Sequence, residues 1–240
     1  MGKNSIISWN CRGIKTNFNK VKLLVKQESP VAICLQETFL KEDDRLPIIK
    51  NYNGYHNFSA CANDKATGGT SIYVRNDVPQ SEIKLDTQLD AKAVIINQQK
   101  TVTLCCLYIP PSHRLEKTEI HDLYHKFITP ALLVGDYNAH NTLWGSRNSN
   151  AKGKTIEEFI TENDLSLLND KSPTYISPAT GSMSIIDLAI CHPSLFLDYN
   201  FHVDDDLHGS DHYPLLLQPA SAPVVENPAR WKLQKATWSL

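Results

Sequence analysis

The chain has 240 residues, 41% of them hydrophobic and 21% charged, with a formal net charge of −2. That length and balance suit one large α/β domain or two small ones around a well-packed core. The near-neutral charge excludes a global basic field, so any nucleic-acid binding must come from a local patch of modest, salt-sensitive affinity.

No apolar stretch approaches the roughly 20 residues of a membrane span. Met1-Gly2-Lys3-Asn4 leads straight into strand-like sequence rather than a signal peptide, and Ile6 stands where myristoylation wants Ser or Thr. A protein that is neither secreted nor membrane-bound is expected. Six cysteines, Cys11, Cys34, Cys61, Cys105, Cys106 and Cys191, lie mostly in apolar runs without a Cys-x-x-Cys. They read as reduced core residues of an intracellular protein.

In chain order, apolar and β-branched runs bounded by Gly, Asn or Pro predict strands over 6–9, 31–35, 69–75, 92–97, 101–109, 131–135, 165–169, 184–191 and 213–218. Phe18, Val21, Leu24 and Val25 share a helical face after Asn17, a candidate N-cap. A second helix is expected over 115–128, stopped by Pro130, and a third over 155–163, opened by a capping box from Thr155 to Glu158. Strands outnumber helices and several connections are hairpin-length. Two mainly antiparallel or mixed sheets packed face to face, with helices outside, follow from that pattern. Pro219-Ala220-Ser221-Ala222-Pro223, with Pro228 beyond, marks a linker over 219–240 leaving a domain of 1–218.

Several strands end in polar groups, a placement that lets side chains converge on a rigid platform. Glu37 follows the strand over 31–35 and offers the oxygen ligand that Mg²⁺ prefers, or is a surface turn residue. Asp136 and Asn138, two apart, fall on one side of an extended segment. There the carboxylate can orient or deprotonate a water and the amide can hold it or the phosphate; the same residues also suit an Asx-turn. Asp187 is a charge inside an apolar strand and needs a partner, which His212 would supply; a strand cap or buried ion pair is the plainer reading. Asp211 could serve a metal or hold its loop, Tyr108 could donate to phosphate or sit in the core, and Asn10 could bind phosphate or form a turn. Thr174 could touch a DNA backbone, though β-propensity explains it equally well. His121 and His125 read as a solvated helix face.

The runs Trp9-Asn10, Leu35-Gln36-Glu37-Thr38, Leu107-Tyr108, Gly135-Asp136-Tyr137-Asn138, Ile186-Asp187-Leu188 and Gly209-Ser210-Asp211-His212, in this order over roughly residues 5–218, resemble the exonuclease–endonuclease–phosphatase superfamily. The resemblance implies an α/β (α+β), DNase I-like fold: a four-layer α/β sandwich of two packed mixed β-sheets flanked by helices. It also implies roles. Asn10 and Glu37 hold Mg²⁺, which Mn²⁺ can replace, with Asp211 assisting the metal or His212. Asp136 activates water with Asn138, His212 paired with Asp187 stabilises the transition state, and Tyr108 binds phosphate.

Finer matches resemble the endonuclease domain of a non-LTR (LINE-type) retrotransposon. They are Trp9-Asn10-Cys11-Arg12-Gly13-Ile14, Gln36-Glu37-Thr38-Phe39-Leu40, Thr67-Gly68-Gly69-Thr70-Ser71-Ile72, Asp136-Tyr137-Asn138-Ala139-His140, Thr174, and the tail Pro228-Ala229-Arg230-Trp231-Lys232-Leu233. This implies a nick in one strand of chromosomal double-stranded DNA, leaving 3′-hydroxyl and 5′-phosphate ends, in the nucleus. The hydroxyl would prime reverse transcription of the element RNA by a reverse transcriptase domain of the same polyprotein. A monomer is expected for the isolated domain. Candidate DNA contacts are Asn10, Thr174, Tyr175, Met183 and Ser210, with loops 41–45, 62–67, 113–117 and the 176–183 hairpin as readers of the target. A stand-alone abasic-site repair endonuclease and a non-catalytic DNA-targeting module are the competing readings.

Overall fold

Strand after strand in this chain is apolar at consecutive rather than alternate positions, the pattern of a strand covered on both faces. A computed structural model, describing residues 4–58, 60–62, 65–128 and 130–220, shows what covers them. The strands are β1 (Ile6–Asn10), β2 (Ala32–Gln36), β3 (Tyr52–Asn57), β4 (Ala60–Ala62), β5 (Lys65–Thr67), β6 (Thr70–Arg75), β7 (Gln80–Ile83) and β8 (Asp90–Asn97) in the first half. They continue as β9 (Thr101–Tyr108), β10 (Ala131–Asp136), β11 (Ser166–Leu167), β12 (Tyr175–Ile176), β13 (Met183–Ser184), β14 (Asp187–Cys191), β15 (Tyr199–Val203) and β16 (Leu215–Pro219). The helices are α1 (Ile14–Glu28), α2 (Lys117–Tyr124) and α3 (Ala151–Glu162).

Two six-stranded mixed sheets result, in the orders β15-β16-β1-β2-β6-β3 and β11-β14-β10-β9-β8-β7, beside the small hairpins β12-β13 and β4-β5. Successive side chains divide between the two faces. Ile6, Cys34, Ile72 and Val74 of one sheet meet Val94, Leu104, Cys106, Leu132 and Val134 of the other in a central core. Ile7, Trp9, Ile33 and Leu35 face outward onto Ile14, Val21 and Leu24 of α1. Cys105, Leu107, Leu133, Leu188 and Ile190 face the other way, onto Ile120 and Leu123 of α2 and Ile156 and Phe159 of α3. The expected four layers are therefore helix, sheet, sheet, helices. Cys11, Cys34, Cys105, Cys106 and Cys191 are buried and free. No helix among the described residues is long and apolar enough to cross a membrane.

The strands missing from the sequence reading are informative. β3 and β15 edge one sheet and β7 edges the other, so they are only partly covered and carry no continuous apolar run. Helix starts also differ. α1 begins after Gly13 without a side-chain cap. The expected N-cap, Asn17, sits inside the helix, where its Nδ2 donates to the Cys11 carbonyl at 2.8 Å. α3 is capped by Asn150, whose side chain accepts from Gly153 N. Thr155 back-bonds to Ala151 instead of opening a capping box. α2 does carry a reciprocal capping box, between Glu116 and Glu119, and ends at Tyr124. His121 is half-buried, its ring edge-on to Phe159 at 5.4 Å in the α2–α3 contact, whereas His125 is exposed. β16 runs to Pro219, and Ala220 N still donates to Asp198 O at 2.9 Å. The expected linker beyond it, 221–240, lies outside the described residues, as do Asn63 and Asp64 of the candidate reader loop 62–67.

Candidate active site

Each sheet has one parallel pair near its centre, and parallel neighbours end side by side. β1 and β2 finish at Asn10 opposite Gln36, and β9 and β10 at Tyr108 opposite Asp136. β14 starts at the same edge, with Asp187 opposite Asp136. Gly135 allows this crowding: at φ 152, a Cβ there would lie 1.8 Å from the Leu107 carbonyl oxygen of β9. The strand ends surround a cleft of ≈ 340 Å³ lined by Arg12, Glu37, Asp136, Asn138, Asp211 and His212, among others.

Asp136 is 1% exposed. Its Oδ2 accepts from Asn10 Nδ2 at 2.9 Å and from Asn138 Nδ2 at 3.0 Å, and its Oδ1 from the Asn138 backbone N–H at 3.0 Å. Asn138 does not continue an extended segment. It turns left-handed at φ 47, so the Asx-turn and the chemical grouping are one structure. Burial, then the Asp187 charge, raise the Asp136 pKa above the usual carboxylate range, against the opposing pull of His212, Asn10 and Asn138.

His212 is 5% exposed, and its Nδ1 donates to both Asp187 oxygens, at 3.0 and 2.9 Å. Burial alone would depress the imidazole. The Asp187 charge and hydrogen bond, helped by Asp136 and Asp211, overcome it and hold the pKa up at about 9. His212 is thus an imidazolium at neutral pH, with Nε2 3.8 Å from Asp136 Oδ2. Its backbone is pinned as well. Trp9 Nε1 donates to the His212 carbonyl at 3.0 Å, and Ser210 Oγ accepts from His212 N at 3.3 Å while donating to Asn10 O at 2.7 Å.

Glu37 stands at φ 50, left-handed, just beyond β2. Burial first, then the Glu37 charge, drive the Tyr108 phenol far above its ordinary pKa. Asp211 is paired with Arg12, Nη1 to Oδ2 at 3.1 Å. Arg12 carried no role in the sequence reading; its signal was its place two residues after Asn10 in the same turn.

Asn10 is engaged at both ends of its amide, since Oδ1 accepts from Arg12 N at 3.2 Å. The expectation that Thr174 touches DNA is corrected: it is 0% exposed, and its hydroxyl accepts from Ile186 N and Asp187 N, both at 3.1 Å. Thr174 therefore sets the entry of β14 and, through it, Asp187. Tyr175 starts the β12-β13 hairpin with its ring 4.8 Å from that of His212, and Met183 projects outward, 58% exposed.

One ligand atom each from Asp136, Asp187 and His212 lies within 4.8 Å of the others, a spacing open to a metal ion. These groups also hydrogen-bond and pair with one another, His212 Nδ1 with Asp187 at 2.9 Å and Nε2 3.8 Å from Asp136 Oδ2. Glu37 and Asp211, at the same cleft, offer the oxygen donors a hard divalent cation takes.

Residues 102–216 match the family model described as endonuclease–reverse transcriptase. The chain is 26% identical over 225 residues to the RNA-directed DNA polymerase from mobile element jockey of Drosophila funebris, covering 92% of this chain and 24% of that protein. It is 28% identical over 220 residues to the probable RNA-directed DNA polymerase from transposon X-element of Drosophila melanogaster, covering 88% and 24%. The chain thus spans about a quarter of the length of these curated relatives. Among solved structures, the fold is shared with the endonuclease domain of TRAS1, a telomere-specific non-LTR retrotransposon (TM-score 0.77, 22% identity, 91% of this chain and 98% of that one). It is also shared with the AP endonuclease LMAP from Leishmania major (TM-score 0.74, 14% identity, 91% and 88%).

Proposed function

We propose that this chain is a non-LTR retrotransposon endonuclease of the exonuclease–endonuclease–phosphatase superfamily and acts as a Mg²⁺-dependent endodeoxyribonuclease. It nicks one strand of double-stranded DNA to leave 3′-hydroxyl and 5′-phosphate ends. The observation that carries the reading is the buried Asp136 carboxylate, held by Asn10 and Asn138 and facing an imidazolium locked by Asp187.

In this reading, Asp136 orients a water in line with the scissile phosphorus and accepts its proton. The water oxygen stays on phosphorus as part of the 5′-phosphate, and the P–O3′ bond breaks as the 3′ oxygen leaves and takes up a proton. His212 stabilises the charge that grows on the non-bridging oxygens, and Tyr108 binds the same phosphate. Glu37 and Asp211, with the remaining lone pair of Asn10 Oδ1, hold the cation. When bound, Mg²⁺, or Mn²⁺ in its place, neutralises phosphate charge and eases departure of the 3′ oxygen. Tyr175, which lines the cleft, and Met183 and Ser210, neighbours in sequence of the lining residues Ser184 and Asp211, serve as DNA contacts in this reading.

Target-primed reverse transcription in the nucleus is the biological setting we infer. There a reverse transcriptase domain of the same polyprotein extends the 3′-hydroxyl on the element RNA, and the endonuclease domain itself acts as a monomer. The test is conversion of supercoiled plasmid to open circle with Mg²⁺, with EDTA, and by Asp136→Ala, alongside an abasic oligonucleotide. Nicking in the first tube only is expected. Cleavage confined to the abasic substrate would make the chain a repair endonuclease, and tight DNA binding without turnover a targeting module.

A further inference from the structure

Asp90 opens β8 directly opposite Tyr108 on β9, at the cleft edge of the sheet. Its half-buried carboxylate accepts from Asn57 Nδ2 at 2.9 Å and from the Gly69 backbone N–H at 3.2 Å. Burial raises its pKa, and only those two hydrogen bonds oppose the rise; among the described residues no cation does. A half-buried carboxylate that meets no cation among the described residues is a cost that a fold keeps for a reason.

The Gly68-Gly69 turn is shaped around it. Both glycines are left-handed, at φ 78 and 84, and a Cβ on Gly68 would stand 2.2 Å from Asp90 Oδ2. The outer side of the same turn grips the segment after β2: Phe39 N donates to Gly68 O at 3.0 Å and Thr38 N to Gly69 O at 3.1 Å. On the opposite flank Gly13 N donates to Glu37 O at 2.7 Å and Ile14 N to Thr38 O at 3.1 Å. Glu37, left-handed at φ 50, is held between these two clamps. A strained backbone of that kind persists only where its surroundings over-determine it.

We propose that Asp90 is a positioning residue for Glu37: acting through the Gly68-Gly69 turn, it aims the carboxylate that takes the divalent cation. This rests on the proposed role of Glu37 as a metal ligand. Groups that orient a ligand change metal affinity when removed, by about 10- to 100-fold. Asp90→Ala releases the turn. Asp90→Asn keeps it, because the new amide presents its oxygen to Gly69 N and its NH₂ to a rotated Asn57.

The experiment is Mn²⁺ binding to the full chain by electron paramagnetic resonance, without DNA, beside the Mg²⁺ dependence of plasmid nicking. Asp90→Ala is expected to weaken Mn²⁺ binding about 10- to 100-fold, with nicking largely regained at saturating Mg²⁺, and Asp90→Asn to bind within about threefold of the parent. Gly68→Ala, which displaces the carboxylate with Asp90 intact, should match Asp90→Ala and serves if the latter does not fold. Unchanged Mn²⁺ affinity in Asp90→Ala or Gly68→Ala, while Glu37→Ala loses it, overturns the role of Asp90 and leaves the metal site standing. Unchanged affinity in Glu37→Ala removes the metal-ligand reading and this inference with it.

Discussion

Asp136 is kept as an acceptor by two amides and placed beside an imidazolium, so each partner's state depends on the other. Replacing Asp136 or His212 by Ala should lower the single-turnover nicking rate by about 100- to 1000-fold, the size of general-base and transition-state electrostatic effects. A folded His212→Ala protein that nicks at the parent rate would remove that role. The Asp187–His212 pair was legible in the sequence because a charge inside Ile185-Ile186-Asp187-Leu188 must find a partner. The conformation of Asn138 was not, since a left-handed turn leaves no trace in residue spacing. His56 carries a different consequence. Burial first, then Lys92, lower its pKa to about 4 against the pull of Glu82, and it bonds Ser71 Oγ at 2.8 Å. A depressed folded-state value means the unfolded chain binds the proton first as pH falls. Its contribution is therefore complete above about pH 6.5 and is lost as pH falls through that window towards 4. Between pH 7 and pH 5 His56 should account for a loss of about 2 kcal/mol, absent in a folded His56→Gln variant compared by urea melts at both pH values.

At the level of elements, one hydroxyl takes two backbone N–H groups at the junction of the β12-β13 hairpin with β14. Thr174→Ala would strand two buried backbone N–H groups and should cost about 2–4 kcal/mol in a urea melt, with slower nicking because Asp187 loses its register. Thr174→Ser keeps the oxygen and should restore both; a serine variant as weak as the alanine would point to the methyl's packing instead. The same residue shows where the sequence stops being readable. β-propensity and DNA contact both suited Thr174, and only the fold shows its hydroxyl turned inward. Central strands were legible as double-faced apolar runs such as Leu132-Leu133-Val134. The edge strands β3, β7 and β15 were not, because half-exposed strands look like polar loops. For α1 and α3, local capping signals at Asn17 and Thr155 lost to Gly13 and Asn150, positions dictated by how each helix enters against its sheet.

For the whole molecule, a net charge of −2 leaves the proposed DNA binding to a few local contacts, with Arg12 and the His212 imidazolium lining the cleft itself. With two or three phosphate contacts, raising salt from about 50 to 200 mM should weaken plasmid binding on the order of 10- to 50-fold in a filter-binding assay. A loss of several thousandfold would indicate a basic footprint of many phosphate contacts instead. The order in which the chain is made adds a last consequence. β1, the first strand, lies between β2 and β16, and Asn10 meets His212 across 202 positions of sequence. On a ribosome adding about 5–20 residues per second, some 10–40 s separate synthesis of the two groups. During that interval the apolar edge of β1 has no β16 to cover it, and the half-made protein lacks His212. The proposed nuclease centre is therefore incomplete until translation has passed His212, and until then β1 keeps one open edge.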